Sequence, residues 1–174
     1  MPLVVEDGSG IAGANSAGDE AAIKARWDDL GYDYSDATNF SDPLIAAAAI
    51  RGMEWLLGSY RKRLPGTPVE PTGIHFPATE AVDFYGATIS GVPTEWFHAQ
   101  CEAAFREATT PNCLTPDIVL AGSSGQIKRR KVDSIEREFF QAKSADDLKP
   151  MVTSVENILS RILTRRITTP IMAV

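Results

Sequence analysis

The residues of this chain best suited to chemistry fall into a few short clusters, and none of them assembles a catalytic set. His98, Cys101 and Glu102 follow the spacing His-x-x-Cys-Glu, which puts three metal-ligand types on adjoining turns of one helix. A zinc site needs four well-placed donors, and only His75 and Cys113 are left to complete one, so Cys101 reads as a core thiol and His98 as a surface imidazole. The glycines of VEDGSGIAG outline a phosphate loop, yet the Gly-Lys-Ser/Thr that such a loop requires is missing, and Glu6 and Asp7 would repel phosphate. Asp28-Asp29 and Asp146-Asp147 are adjacent carboxylate pairs of the kind that sit in solvent. The last cluster is Lys128, Arg129, Arg130 and Lys131, a run of cations that can follow phosphates, with Phe139 or Phe140 to stack on bases. These residues describe a binding protein rather than an enzyme, with no cofactor and no metal.

The elements that must carry them belong to one soluble domain, 1–174, with 44% hydrophobic and 23% charged residues. No run of about twenty apolar residues exists, and MPLVVEDGSG lacks the basic and apolar regions of a signal peptide, so no membrane is expected. With only two cysteines, Cys101 on a predicted helix and Cys113 in a loop, no disulfide framework is expected and a reducing compartment such as the cytoplasm is allowed. The net charge of −6 is uneven: residues 1–60 carry −7, 61–120 carry −3 and 121–174 carry +4. An acidic body repels nucleic acid, a basic end attracts phosphate or an acidic protein surface, and opposite ends of identical subunits attract one another.

Along the chain, residues 1–15 read as an N-terminal arm containing a flexible GSGIAGAN, followed by a helical bundle over 16–125. Ser16 to Asp19 resembles a capping box, and Ile23, Trp27 and Leu30 share one face of a first helix that Gly31 stops. Asp42 as N-cap and Pro43 open a second helix running to Leu64, apolar on most sides and expected at the centre of the bundle. Residues 65–94 hold five prolines and four glycines, so 65–92 is predicted to be a long loop pinned by Ile74, Phe76, Phe84, Tyr85 and Ile89. A third helix covers Pro93 to Ala108 with Phe97, Cys101, Ala104, Phe105 and Ala108 inward. In the 126–141 hairpin, an Asp133-Ser134 turn sets Val132 against Ile135, Lys131 against Glu136, Arg129 against Glu138 and Ile127 against Phe140. Arg130 then faces Arg137, a like-charge mismatch that leaves a register shift open. A final helix, 150–166, repeats Met151, Val152, Val155, Ile158, Leu159 and Ile162 on one face, with Arg161, Arg165 and Arg166 where helix carbonyls favour cations. Pro170 and the β-branched residues around it make 167–174 an extended tail, read either as a frayed terminus or as a segment that docks on a partner. The fold class is mainly α: about four helices, a projecting β-hairpin and an extended C-terminal tail.

The order of VEDGSGIAGANS, GMEWLLGSYRKR, HFP, DFYGATISGVPTEW and GQIKRRKVDSIEREF before a final helix resembles the small head-tail adaptor, or head-completion, proteins of tailed bacteriophages, a family often labelled DnaT-like single-stranded DNA-binding. The resemblance spans nearly the whole chain. It departs at Ala78, where a basic residue is common, and in the tail after Arg166. It implies a ring, commonly of twelve copies, that binds the portal after DNA packaging and receives a stopper or other neck protein, with genomic DNA adjacent in the channel. The location implied is the virion neck, reached from the host cytoplasm. Under this reading Arg161, Arg165, Arg166, Ile167, Thr168, Thr169, Pro170, Ile171, Met172 and Val174 are candidate portal contacts, and Lys128 to Lys131 are hairpin contacts. The alternative is a single-stranded DNA-binding or replication accessory protein acting through Lys128, Arg129, Arg130 and Lys131.

Overall fold

A computed structural model describes residues 2–36, 38–116, 129–132, 135–138 and 151–164, the hairpin strands by their backbone alone. The chain divides into two compact units, Met1–Leu114 with Val152–Val174, and Thr115–Met151. In the first unit, the body, α1 (Glu20–Leu30), α2 (Asp42–Tyr60), α3 (Thr94–Thr109) and α4 (Thr153–Leu159) form the bundle. A 3-10 turn, Arg61–Arg63, follows α2, and two short strands, β1 (Thr67–Pro68) and β2 (Ala78–Thr79), pair antiparallel within the long loop. The second unit contains the antiparallel pair β3 (Arg129–Val132) and β4 (Ile135–Glu138).

The central helix is α3 rather than α2, because α3 packs against each of the other three helices. It buries two faces. Trp96, Ala99 and Ala103 join Met53, Leu56, Ile74, Phe76, Val155 and Leu159 in one cluster, while Cys101, Ala104 and Ala108 join Ile23, Trp27, Ile45 and Ala48 in another. The alanines of α2 and α3 allow the axes to come close, and a Cβ at Gly52 would stand 3.1 Å from the Ala103 Cβ. Phe97 and Phe105 are only partly buried at the edge of the second cluster, where Phe105 stacks on Phe40 at 5.6 Å.

Helix ends differ from expectation by small, explicable shifts. Asp19, not Ser16, caps α1 by accepting from the Ala22 amide at 2.8 Å, because the Ser16 hydroxyl is occupied by Gly18 and Gln100. Gly31 terminates the helix in the left-handed region, φ 68°, as glycine allows. Leu30, expected inside, is 41% exposed. Ser41 precedes α2 as its N-cap, and Asp42 pairs with Lys24 instead of capping. The final helix is the larger correction: α4 covers seven residues, not the whole of 150–166. Val152 is extended (φ −96°, ψ 102°), and beyond Leu159 the backbone turns so that the Thr164 amide and hydroxyl donate to the Arg63 carbonyl, both at 2.8 Å. Those tertiary bonds replace the next helical turn. Val155, Leu159 and Ile162 are buried as the seven-residue rhythm requires, whereas Met151 is 73% exposed.

The arm is not a loose extension of the body. Glu6 is buried, and its carboxylate accepts from the amides of Gly8, Gly10 and Ile11 and from the Thr72 hydroxyl, at 2.8 to 3.0 Å. GSGIAGAN therefore wraps around an internal anion and bridges to the long loop through Ala12 and Thr72. At Gly73 an added Cβ would overlap the Ala14 carbonyl oxygen, so arm and loop approach at van der Waals limits. Gly73→Ala is expected to lower stability by about 1–3 kcal/mol in urea denaturation, the ordinary cost of overpacking, and to speed amide exchange in residues 4–16.

Candidate functional site

The long loop divides into a buried half and a presented half. Ile74 and Phe76 are fully buried against α3, Phe76 meeting Trp96 edge on at 5.9 Å, and they anchor the loop as expected. His75 lies between them with φ 77°; its Nε2 pairs with the Pro65 carbonyl at 3.1 Å, and burial holds its pKa below the usual histidine value. Phe84 and Tyr85 were expected to pin the loop as well, and they do the opposite. They are 60% and 80% exposed, with their rings edge to face at 5.4 Å.

Asp83 builds that presentation. Its Oδ1 accepts from the amides of Tyr85 and Ala87 at 2.9 and 2.8 Å, closing an Asx turn completed by Gly86 at φ 84°. Its Oδ2 accepts from Arg161 Nε at 3.0 Å, and the Phe84 amide donates to the Arg161 carbonyl at 2.8 Å. The Ala87 amide, with Arg161 and Tyr85, holds the Asp83 carboxyl below the ordinary range against the effect of burial. Arg161 also reaches Glu95 at 3.4 Å while its side chain stays 57% exposed. This candidate contact is thus first a clasp between the loop and the turn after α4. It is the only one of the proposed tail contacts among the described residues; Arg165, Arg166, Ile167, Thr168, Thr169, Pro170, Ile171, Met172 and Val174 lie outside them.

The hairpin takes the expected register. Arg129 pairs with Glu138, Arg130 with Arg137, Lys131 with Glu136 and Val132 with Ile135, so no shift relieves the like-charge position. Lys128 and the Ile127–Phe140 pairing lie outside the described residues.

At the other end of α3 a cleft of about 420 Å³ opens between Tyr32, Phe105, Arg106, Thr109, Thr110 and Cys113, with Glu102 at its base. Glu102 accepts from the Tyr32 hydroxyl at 2.6 Å, the Ser154 hydroxyl at 2.7 Å and Arg106 at 2.9 Å. Burial pushes the Glu102 pKa up, but these three donors outweigh it and keep the group below its ordinary value. The sequence singled out Glu102 only as a possible metal ligand beside His98 and Cys101, because its actual partners Tyr32 and Ser154 are 70 and 52 positions away. Burial raises the Cys101 thiol to about 12, which makes it inert, and burial lowers His98. Among the described residues, no three His, Cys, Asp or Glu side chains converge as a metal ion requires, and no helix is long and apolar enough to cross a membrane.

Two outcomes check this geometry. Asp83→Ala should accelerate amide exchange at Tyr85 and Ala87 while leaving the α3 amides protected. His75 is held neutral by burial, so the folded state binds fewer protons than the unfolded chain as pH falls below about 6.5. Its share of stability is complete above that pH and is lost as pH drops towards the depressed folded pKa. His75→Asn, which keeps a residue tolerant of positive φ, should flatten that part of a stability profile between pH 7 and 5.

A family model described as "Putative DnaT-like ssDNA binding protein" matches residues 1–173. No curated protein matches the chain. No solved structure matches it either.

Proposed function

The chain belongs to this DnaT-like family, and from that premise together with its architecture we propose that it is a structural adaptor of a tailed-phage neck: it forms a ring, binds the portal and connects the head to the next neck protein. The observation that carries this reading is the fate of the cations in the body. Lys24, Arg51, Arg63, Arg106 and Arg161 each face a carboxylate of the same unit, which makes these five less available to a phosphate backbone and leaves exposed Arg61 and Lys62 without an ion pair among the described residues. Other features support protein contacts instead: two presented aromatics, a cleft at the opposite end of α3, and a chain end of ten residues beyond Thr164 whose 167–174 portion is uncharged. The tail contacts from Arg165 to Val174 and the portal as partner belong to this proposal.

The family description favours a second reading, single-stranded DNA binding through Lys128, Arg129, Arg130 and Lys131. The register tempers it, because Glu136 and Glu138 stand opposite Lys131 and Arg129 on the neighbouring strand. Electron microscopy of the purified protein with and without a portal ring separates the two. Closed rings or added density under the portal, lost on deletion of residues 167–174 with the circular dichroism unchanged, are expected. A mobility shift of single-stranded DNA that weakens steeply with salt and disappears when residues 128–131 become alanine, without rings or portal density, would replace the first reading by the second.

A further inference from the structure

One apolar patch of the body is left uncovered among the described residues. Val82, Phe84 and Tyr85 are 46%, 60% and 80% exposed, three of four consecutive side chains on one turn. The turn is held firmly: Val82 bridges to Thr88, and Asp83 takes the amides of Tyr85 and Ala87 on one side and Arg161 on the other. A surface already ordered loses little conformational freedom on contact, so whatever covers these rings has only its own ordering to offset.

The chain itself passes beside this patch. The Phe84 amide donates to the Arg161 carbonyl at 2.8 Å, and three residues further on Thr164 is fixed by its amide and hydroxyl to the Arg63 carbonyl, both at 2.8 Å. At most about 10 Å of chain therefore separates the residue that holds Phe84 from the point where residues 165–174 begin. Ten residues span up to about 35 Å, several times what a return to the rings requires. The last eight side chains, 167–174, are uncharged and include Ile167, Ile171, Met172 and Val174, which bury well against aromatic faces, Met172 through its polarisable sulfur as well. Arg61 and Lys62, exposed on the 3-10 turn that Thr164 touches, disfavour a basic occupant, which restricts the contact to this uncharged part. Tethering supplies the rest. A short flexible connection raises the effective concentration to about 1 mM, so a contact with a Kd of about 1 mM, too weak to hold separate dilute molecules together, is already about half occupied.

We propose that residues 167–174 fold back within the same chain and cover Val82, Phe84 and Tyr85, so that the free subunit masks its aromatic turn and its tail with one another. A partner that takes the tail then uncovers the rings, and one that takes the rings frees the tail. The contact depends on neither reading of the function; its role as a mask over portal contacts rests on the adaptor reading. Its failure would leave portal binding and DNA binding to be decided by their own assays.

Cross-linking tests this in the full chain. Cys113→Ser leaves Cys101, which burial makes inert, so two new thiols report alone. Ala87→Cys, on an exposed residue, puts one beside the rings, and Ala173→Cys puts the other in the tail; neither removes an aromatic or branched side chain from the contact. Mild oxidation with diamide should close an intramolecular disulfide, a faster-running monomer on a non-reducing gel, about tenfold sooner or more than in a control pair, Leu44→Cys with Ala173→Cys. Leu44 is exposed near the start of α2, about 24 Å of helix away from Tyr60. Adding Phe84→Ser and Tyr85→Ser should lower the rate to that of the control. Equal rates in the two pairs, a rate indifferent to loss of the rings, or covalent dimers in place of the monomer, which would put the tail on a second copy, would overturn the proposal. A second measurement keeps the native side chains. Deleting residues 167–174 should make nitration of Tyr85 by tetranitromethane, located by mass spectrometry, about twofold faster or more, the protection that half occupancy gives, while Tyr34 reacts as before. An unchanged Tyr85 rate would also rule the contact out.

Discussion

The body depends on how α3 satisfies the polar side chains it buries. Gln100, Glu102 and Glu107 lie on a helix that is covered on almost every side, and an unpaired polar group there costs about 1–3 kcal/mol. Each is answered from a different part of the chain. Gln100 donates to Ser16 and to the Ala49 carbonyl and accepts from the Ala17 amide. Glu102 collects Tyr32, Ser154 and Arg106. Glu107 takes Arg51 and the amides of Asn112 and Leu114. Arm, α2, α4 and the segment after α3 are thus located by directional bonds, whereas the apolar clusters between them only require that they be close.

The same device recurs in the loops. Glu6 gathers the arm around its carboxylate, and Asp83 gathers the aromatic turn and Arg161. Both carboxylates neutralise backbone amides that have no regular secondary structure to satisfy them, which is how segments rich in proline and glycine keep a defined course. One consequence is electrostatic. Acidic residues that appear in excess in the sequence are partly engaged with amides and with the body's own arginines, as Glu6, Asp83, Glu102 and Glu107 show.

A good part of the molecule was legible beforehand. The helix count, the Gly31 stop and the hairpin register follow from local rules: a 3.6-residue period, a glycine at positive φ, and cross-strand charge pairing. The candidate site was less legible. Phe84 and Tyr85 have the composition of anchors, and Arg161 has the look of a free contact at a helix end. Their roles exchange because Asp83 binds Arg161 and turns the aromatics outward, and nothing within a few residues of either announces that bond across 78 positions of sequence.

What the sequence determined by itself is therefore the set of elements and the surfaces each must bury, since propensity, capping and periodicity act over a handful of residues. Tertiary structure decided which helix is central, where the last helix stops and which side chains face outward. Gln100 and Glu107 hold α3 in the middle, the Arg63 carbonyl draws Thr164 away from a further helical turn, and the Asp83 clasp exposes two rings. The physical reason is common to all three: a hydrogen bond between distant residues competes with local helix or loop geometry at similar energy, and only the folded chain brings its partners within reach.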